Sequence, residues 1–293
     1  MVLDVGEPAV RADDGGQRAP LLVGVLDAEP PAGVQQPRGD GEHAADDVQP
    51  VRAAPERERR VVVGDLARHD GAPRLTDSPL VADLYDCSDP DARAAGLDAA
   101  AAAIGRGELV LVPTDTVYGV AANAFSPDAV TRLLAAKNRG RHMPVPVLIG
   151  EASTLAGLVM RVPPPAMRLA EEFWPGGLTL VLEHAPSLAW DLGDAEGTVA
   201  VRLPDDELAR DLLRRTGPLA VSSANRSGRP AATTAQEADA QLGEHSAVVL
   251  DGGPRADSAA STIVDCTGAT PRVLRVGAIT PERLQEVVPE LTD

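Results

Sequence analysis

The sequence is short of aromatic residues and of cysteines, and both shortages limit what it can form. Aromatic residues make up 2% of the 293 positions and hydrophobic residues 44%, so a core must be built mainly from Val, Leu, Ile and Ala. Cys87 and Cys266 are too few for a disulfide framework, and neither has a neighbouring ligand at zinc spacing. We therefore expect two free thiols in a cytoplasmic protein.

Long apolar runs are also missing. No run of about 18 apolar residues occurs, which argues against a membrane-spanning helix. The chain does not open with a basic region and an apolar stretch, so a secretory signal is not predicted. The formal net charge of −17 disfavours broad binding to nucleic acid, because phosphate contacts supply most of that affinity. A small pocket can still be basic on an acidic protein.

Lysine is nearly absent, since Lys137 is the single lysine among 27 lysine and arginine residues. A composition rich in Ala, Arg, Gly and Pro is typical of a GC-rich gene, which explains why lysines are scarce but not why this one remains. Lysine carries a compact point charge on a flexible stem, whereas arginine presents a planar fork. The sequence therefore hints that position 137 needs an ammonium.

The chain divides into two unlike regions. Residues 1–80 contain no aromatic residue, are rich in Gly, Pro, Asp and Arg, and show little sustained periodicity. Such a segment buries too little apolar surface to offset its ordering entropy. We expect residues 1–80 to be a disordered extension or an artefact of an upstream start codon, and residues 81–293 to form the folded domain.

From about residue 84 onward, the sequence alternates between predicted strands and helices. Helices are predicted at 89–104, from 126 onward, and at 165–174, 205–216, 234–242 and 281–288. Strands are predicted at 108–112, 145–149, 178–183, 198–203, 219–222, 247–251, 262–265 and 272–275. No linker and no repeat interrupts this region, so we predict one α/β domain of roughly 200 residues.

Two polar segments follow predicted strands. Residues 113–119, Pro-Thr-Asp-Thr-Val-Tyr-Gly, come at the carboxyl end of a buried strand, where α/β sheets bind ligands. Their hydroxyls and amides suit an anion; the alternative is a turn that caps its own backbone through Thr and Asp. Residues 221–228, Val-Ser-Ser-Ala-Asn-Arg-Ser-Gly, resemble an anion cradle or, in the alternative, form an ordinary loop.

A third segment, residues 137–142, follows the helix that opens at 126. Lys137 continues the helix face of Val130, Leu133 and Leu134, so it ends an apolar stripe where an unpaired charge is costly. The lysine either snorkels to solvent or points into a polar cleft. A basic helix terminus is the alternative explanation, because cations there favour the helix dipole.

Lys137, Arg139 and Arg141 nevertheless place more cations in a short span than a helix terminus needs, and such cations are standard phosphate partners. The glycine spacing matches neither a P-loop nor a Rossmann site, and no Gly-x-Ser-x-Gly motif is present. No His/Glu metal constellation and no positioned acid–base pair are visible. The site is therefore predicted to work by charge and placement, as phosphoryl and nucleotidyl transfer often do.

Together and in this order, these segments resemble the YrdC/TsaC family of threonylcarbamoyl-AMP synthases, in its short single-domain form, over residues 84–282. Further matching pieces are Met-Pro-Val-Pro-Val at 143–147, Phe-Trp-Pro-Gly-Gly-Leu-Thr at 173–179, Val-Ala-Val-Arg-Leu-Pro at 199–204, Ser-Thr-Ile-Val-Asp at 261–265 and Leu-Arg-Val-Gly-Ala-Ile at 274–279. The sequence departs from the family where Gly140 and Val276 stand in place of a common proline. The resemblance implies a YrdC-like catalytic domain: a twisted, open mixed sheet with flanking helices and a concave positive groove.

The resemblance also implies an activity. Such enzymes condense L-threonine, bicarbonate and ATP into threonylcarbamoyl-adenylate and release pyrophosphate, and Mg²⁺ is expected to accompany the ATP. Partner transferase proteins then pass the threonylcarbamoyl group to an adenosine of tRNA.

Site residues follow from the resemblance motif by motif. The catalytic residues it implies are Lys137 and Arg139, which would hold ATP phosphates. The other nucleotide-binding residues would be Arg141, Thr198, Ser223, Asn225 and Arg275, and the substrate-binding residues would be Thr114, Tyr118, Arg202 and Ser261. No protein ligand to a metal is implied.

Two rival functions use the same fold. A double-stranded-RNA-binding or ribosome-assembly module would use the positive groove, which also implies weak RNA binding, although the acidity of the chain argues against broad RNA binding. A carbamoyl-transfer module of the HypF type belongs to much longer chains with zinc-finger regions, and the sequence has no such region.

Overall fold

The computed structural model describes residues 81–256 and 259–292. The expectations for residues 1–80 therefore lie outside the described residues. Within the described part, no helix is long and apolar enough to cross a membrane. The predicted fold class is confirmed there, because these residues form one open mixed sheet with flanking helices.

The strands are β1 (Asp83–Asp86), β2 (Leu109–Val112), β3 (Gly119–Asn123), β4 (Val147–Leu148), β5 (Leu178–Glu183), β6 (Thr198–Arg202), β7 (Leu219–Ser223), β8 (Ser246–Asp251), β9 (Thr262–Asp265) and β10 (Arg272–Arg275). Their order across the sheet is β1-β8-β2-β3-β7-β4-β6-β5-β9-β10. β8 is parallel to β1 and β2, β4 to β6, and β5 to β9, whereas the other pairs are antiparallel. Gly119 pairs with both Val112 and Ser223, so the loops after β2 and β7 leave the same edge of the sheet.

The helices are α1 (Pro90–Gly105), α2 (Pro127–Ala136), α3 (Leu155–Leu158), α4 (Pro164–Phe173), α5 (Glu207–Thr216), α6 (Ala235–Leu242) and α7 (Pro281–Val287). Side chains cap the first two helices: Asp89 accepts a hydrogen bond from the Ala92 amide at 2.8 Å, and Ser126 accepts one from the Ala129 amide at 3.3 Å. Side-chain caps of this kind satisfy amides that the first helical turn leaves unpaired.

Two buried clusters pack against opposite faces of the sheet. The larger joins α2, α4 and α6 to strands from both halves of the sheet. The smaller joins α1 and α5 to β1, β8, β2, β3, β7 and β4, and among the described residues it includes no side chain of β5, β6, β9 or β10. Helices α1 and α5 therefore cover one half of that sheet face, the half formed by β1, β8, β2, β3, β7 and β4.

The other half of that face carries polar side chains. Leu180 and Val201 pair across β5 and β6, and both lie in the larger cluster. Because side chains alternate along a strand, the next residues, Thr179 and Arg202, point to the opposite face. This is the face that α1 and α5 leave uncovered at β5 and β6, so the chain builds a polar surface beside its second core.

Strands β1 and β3 and helix α3 were not predicted. β3 is built from Gly, Val, two Ala and Asn, most of which are weak strand formers, and its place is set by pairing with β2 and β7 on both sides. The strand predicted at 145–149 is only the two-residue β4. Pro146 has no amide to donate, and its carbonyl accepts from the Val221 amide instead.

Candidate functional site

Thr114 folds the loop between β2 and β3 back on itself. Its hydroxyl donates to the Val117 carbonyl at 2.7 Å and accepts from the Thr116 amide at 3.2 Å. Thr114 is 4% exposed. The self-capping turn that the sequence left open as an alternative is therefore what Thr114 makes, and the turn fixes the positions of Asp115 and Thr116.

Tyr118 anchors the end of the same loop. Its ring is fully buried, and its hydroxyl donates to the Gly253 carbonyl at 2.8 Å and accepts from the Gly252 amide at 3.2 Å. Burial and the nearby Asp251 carboxylate raise the pKa of Tyr118, so the phenol stays neutral. The hydroxyl already ties β3 to the loop after β8, and its contact with a substrate stays a prediction.

Lys137 points into a polar cleft rather than to solvent. It ends α2 as the C-cap and is 3% exposed. Its Nζ donates to the carbonyls of Ser223 at 2.5 Å and Asn225 at 2.8 Å, and it lies 3.2 Å from Asn225 Oδ1. These oxygens are neutral, so they solvate the ammonium without cancelling its charge.

The loop after β7 is held in place around that ammonium. The Ser223 hydroxyl donates to Asn225 Oδ1 at 2.5 Å, and Asn225 Nδ2 donates to the Arg229 carbonyl at 2.5 Å. The Ser227 amide donates a hydrogen bond to the Lys137 carbonyl at 3.1 Å. Lys137, Ser223 and Asn225, which the sequence predicted from separate motifs, are thus brought together, and we call them the ammonium pocket.

The Arg139 side chain also reaches the end of β7, because the backbone turns at Asn138. Asn138 has φ of +52°, a left-handed conformation that Asn adopts more readily than most residues. Arg139 is 8% exposed, and its guanidinium donates to the Met143 and Pro144 carbonyls at 3.0 and 3.1 Å and to the Ser222 hydroxyl at 3.1 Å. Its acceptor Ser222 adjoins Ser223 of the ammonium pocket.

Arg141, close to both in sequence, points elsewhere. Its Nη2 lies 2.5 Å from Asp191 Oδ1 and its Nε 3.7 Å from Asp194, and its side chain is half exposed. The hydrogen bond with Asp191 raises the pKa of Arg141, and the same bond holds the pKa of Asp191 below its usual value. In this structure Arg141 binds two carboxylates of the loop between β5 and β6. Its contact with a nucleotide stays a prediction.

Arg202 lies at the end of β6 beneath the 113–118 loop. Its Nη2 forms an ion pair with Asp115 Oδ1 at 2.6 Å, with side chains 8% and 17% exposed. Its Nη1 donates to the Thr116 hydroxyl at 3.1 Å and its Nε to the Gly176 carbonyl at 2.9 Å. Buried charges normally require such pairing. Asp115 is a site residue that the sequence analysis did not select, although it lies within the 113–119 motif.

Arg275, at the end of β10, lies against Ser261. Its Nε and Nη2 both donate to the Ser261 carbonyl, at 3.1 and 2.5 Å, and the Ser261 hydroxyl lies 2.8 Å from Thr179 Oγ1. The remaining nitrogen, Nη1, is buried without a hydrogen-bond partner in the described residues. A buried donor left in this way costs free energy, which a ligand acceptor would recover.

Arg275 also has like charges for neighbours. Burial, together with the positive charges of Arg202 and Arg139, lowers the pKa of its guanidinium to about 10. Arg139, Arg202 and Arg275 come from three distant parts of the sequence and lie close enough for the charges of the first two to act on the third. We call these three residues the arginine pocket. Mutual repulsion and a buried donor that lacks a partner in the described residues are both features that a bound anion would relieve.

Like Arg141, Thr198 is a predicted residue that the structure does not bring into either pocket. Its hydroxyl donates to the Ala195 carbonyl at 2.7 Å, at the start of β6. Arg202 ends the same strand four residues later, a separation of about 13 Å along an extended chain. A ligand that contacts both Arg202 and Thr198 would have to extend along β6.

No group of three or more His, Cys, Asp or Glu residues within 81–256 and 259–292 is placed to hold a metal ion. The residues of the site that were missed are neutral or acidic partners of the predicted ones: Asp115, Thr116, Thr179 and Ser222. All four lie inside segments that the sequence analysis quoted, so their positions were known from the sequence but the directions of their side chains were not. Both pockets together form a positively charged, hydroxyl-lined site.

Comparison with known proteins gives this geometry a family context. The Sua5/YciO/YrdC family model, described as telomere recombination, matches residues 102–277. A putative threonylcarbamoyl-AMP synthase of Mycobacterium tuberculosis is 55% identical over 206 residues, which are 70% of this chain and 95% of that protein. The threonylcarbamoyl-AMP synthase of Bacillus subtilis is 40% identical over 191 residues, which are 64% of this chain and 55% of that longer protein.

A solved structure extends the likeness to three dimensions. The crystal structure of Pyrococcus abyssi Sua5 complexed with L-threonine superposes with a TM-score of 0.65 and is 36% identical, covering 67% of this chain and 58% of that one. This chain therefore spans less than two thirds of the Pyrococcus protein, but nearly all of the mycobacterial one.

Proposed function

Because this chain belongs to the Sua5/YciO/YrdC family, we propose that it is an L-threonylcarbamoyladenylate synthase, a nucleotidyltransferase that uses ATP. The substrates would be L-threonine, bicarbonate and ATP, and the products threonylcarbamoyl-AMP and pyrophosphate. Relatives named for this activity support the proposal, as does the Pyrococcus structure that contains L-threonine.

The chemistry explains why the site is built from cations. Threonine's amine and bicarbonate form a carbamate with loss of water. A carbamate oxygen then attacks the α-phosphorus of ATP, and a new P–O bond forms as the bond to the β-phosphate oxygen breaks and pyrophosphate leaves. Nucleophile and electrophile are both anionic, so preorganised positive charge that neutralises them stabilises the transition state more than any acid or base would.

The observation that carries the proposal is the arginine pocket. Arg275 is held among like charges, with Arg139 and Arg202 beside it, and one of its nitrogens has no acceptor in the described residues. Arg202 is paired with Asp115, but the repulsion among the three guanidinium groups and the Arg275 donor without an acceptor remain. A polyphosphate or carboxylate would supply both an acceptor and an opposite charge. We assign the phosphates to Lys137 and Arg139, and the threonine carboxylate to Arg202.

Three finer points belong to the same proposal. Mg²⁺ would arrive with the ATP phosphates, since it is usually bound by substrate phosphates with few protein ligands and keeps its waters. The product would pass to transferase proteins that modify an adenosine of tRNA. We expect this to take place in the cytoplasm.

The test is a pyrophosphate-release assay on the purified protein, in which each substrate is omitted in turn. We expect release to require ATP, threonine and bicarbonate together, and threonylcarbamoyl-AMP to be detected by mass spectrometry. ATP consumption that is independent of threonine would overturn the proposal. Absence of turnover together with salt-sensitive binding to double-stranded RNA would favour the rival binding module.

A further inference from the structure

Arg255 lies in the loop after β8, outside every motif assigned above. It contacts the 113–118 loop, which carries Thr114 and Tyr118. Its Nη1 donates to the Thr114 carbonyl at 3.2 Å. Its guanidinium carbon lies 5.8 Å from the centre of the Tyr118 ring, over the ring face. One side chain therefore touches both residues that the resemblance assigns to threonine within the 113–118 loop.

The guanidinium is itself held from several sides. Its Nη1 forms an ion pair with Asp206 Oδ2 at 2.7 Å, with side chains 15% and 12% exposed. Its Nη2 donates to the carbonyls of Gly252 and of Gly253, the latter at 3.1 Å. The backbone amide of Arg255 donates to the Thr233 carbonyl at 2.8 Å. Several donors in a fixed fork are a property of arginine that lysine lacks.

Asp206 is equally constrained. Its second oxygen, Oδ1, accepts from the Ala209 amide at 2.9 Å and caps α5, which begins shortly after Arg202. Arg255 thus connects the 113–118 loop to the segment that carries Arg202, to the loop after β8 and to the loop before α6.

We propose that Arg255 is a positioning residue for threonine, which fixes the 113–118 loop relative to Arg202 through the Thr114 carbonyl, the Tyr118 ring and Asp206. The inference rests on the proposed function, because it assigns the 113–118 loop to threonine. Loss of these contacts allows the loop to shift, and displacements of about 1 Å at a substrate site are enough to reduce catalysis strongly.

Replacement by lysine separates positioning from stability. Arg255→Lys keeps a cation beside Asp206 but cannot reach the Thr114 and Gly253 carbonyls together. It also removes the Nε–H, which in the described residues is buried without a partner. We therefore expect the melting temperature to be unchanged or raised, while the KM for threonine rises roughly 10-fold and the KM for ATP changes less than about 3-fold.

Two further variants keep the experiment decisive. Arg255→Ala is expected to raise the KM for threonine more than Arg255→Lys does. Asp206→Asn retains a side-chain oxygen to cap α5 but removes the charge opposite Arg255, so it tests the ion pair even where Arg255→Ala fails to fold. The matched control is Arg93→Ala, which breaks an ion pair with Asp211 at 2.5 Å between α1 and α5 and leaves both KM values unchanged.

The readout is the steady-state rate of pyrophosphate release with threonine and ATP varied separately, together with thermal unfolding of each variant. Equal changes in both KM values, or changes that follow the melting temperature, would reduce Arg255 to a structural residue and overturn the inference. Threonine-independent turnover in the unmodified protein would instead overturn the proposed function, so the two failures are distinct.

Discussion

The ammonium pocket and the arginine pocket are neighbours that treat positive charge in opposite ways. In the first, the Lys137 ammonium already donates hydrogen bonds to oxygens of Ser223 and Asn225. In the second, the charges of Arg139 and Arg202 act on Arg275, and one Arg275 nitrogen has no acceptor within the described part of the chain. An ammonium whose hydrogen bonds are satisfied fixes the loop and contributes a positive electrostatic potential. Arginines that repel one another are instead stabilised when an anion binds among them. The two pockets should therefore respond differently to mutation.

The largest effect is expected at Lys137. Lys137→Met keeps the apolar stem that continues α2 but removes the ammonium, and with it the donor to the Ser223 and Asn225 carbonyls. We expect pyrophosphate release to fall roughly 100- to 1000-fold, the range found when a preorganised charge-stabilising donor is lost. Circular dichroism and thermal unfolding should show that the fold survives. Near-normal turnover would remove Lys137 from the mechanism and leave it a tether of the loop.

A smaller but more specific effect is expected at Arg275. Arg275→Met removes one of three like charges and the unpaired donor, so the free protein should lose little stability. Pyrophosphate should raise the melting temperature of the unmodified protein, because a ligand that binds only the folded state stabilises it. In the variant this shift should disappear, and the KM for ATP should rise roughly 10-fold. A variant that is strongly destabilised and still shifted by pyrophosphate would contradict an anion site here.

The smallest effect is expected at Arg141. Its ion pair with Asp191 is half exposed, and such pairs contribute about 0–1 kcal/mol. Arg141→Ala should therefore change kcat/KM for ATP less than about 3-fold, since the guanidinium is directed at the loop between β5 and β6 rather than into either pocket. A loss greater than tenfold would mean that Arg141 turns toward the nucleotide during catalysis and belongs with Lys137 and Arg139.

Much of the fold was predictable because it depends on local signals. Helices were predicted to start near residues 89 and 126, and at both starts a side-chain cap, Asp89 or Ser126, forms a hydrogen bond. Strands β5, β9 and β10 have the predicted bounds. β3 was missed because its small residues carry little strand preference, and only its partners on both sides define it.

The residues of the two pockets were named from the sequence, but their arrangement was not predictable from it. The apolar stripe ending at Lys137 left two directions open for the ammonium, and only the position of β7 decided between them. Arg139 and Arg141 looked equivalent in sequence, and the left-handed turn at Asn138 was not visible there. Asp115 was quoted within its motif, but its role as the partner of Arg202 depends on a strand that lies far away in sequence.

By itself the sequence determined which residue types are available: one lysine, many arginines, hydroxyl-rich loops after buried strands, and alternating elements that require an α/β sheet. Local hydrogen bonds and periodicity suffice for that, because they act within a few residues. The tertiary structure alone decided which cations share one space, that Thr114 caps its own turn and that Arg255 joins the 113–118 loop to Asp206. Coulombic forces and directed hydrogen bonds act over only a few ångströms between groups distant in sequence, so these roles exist only once the sheet is assembled.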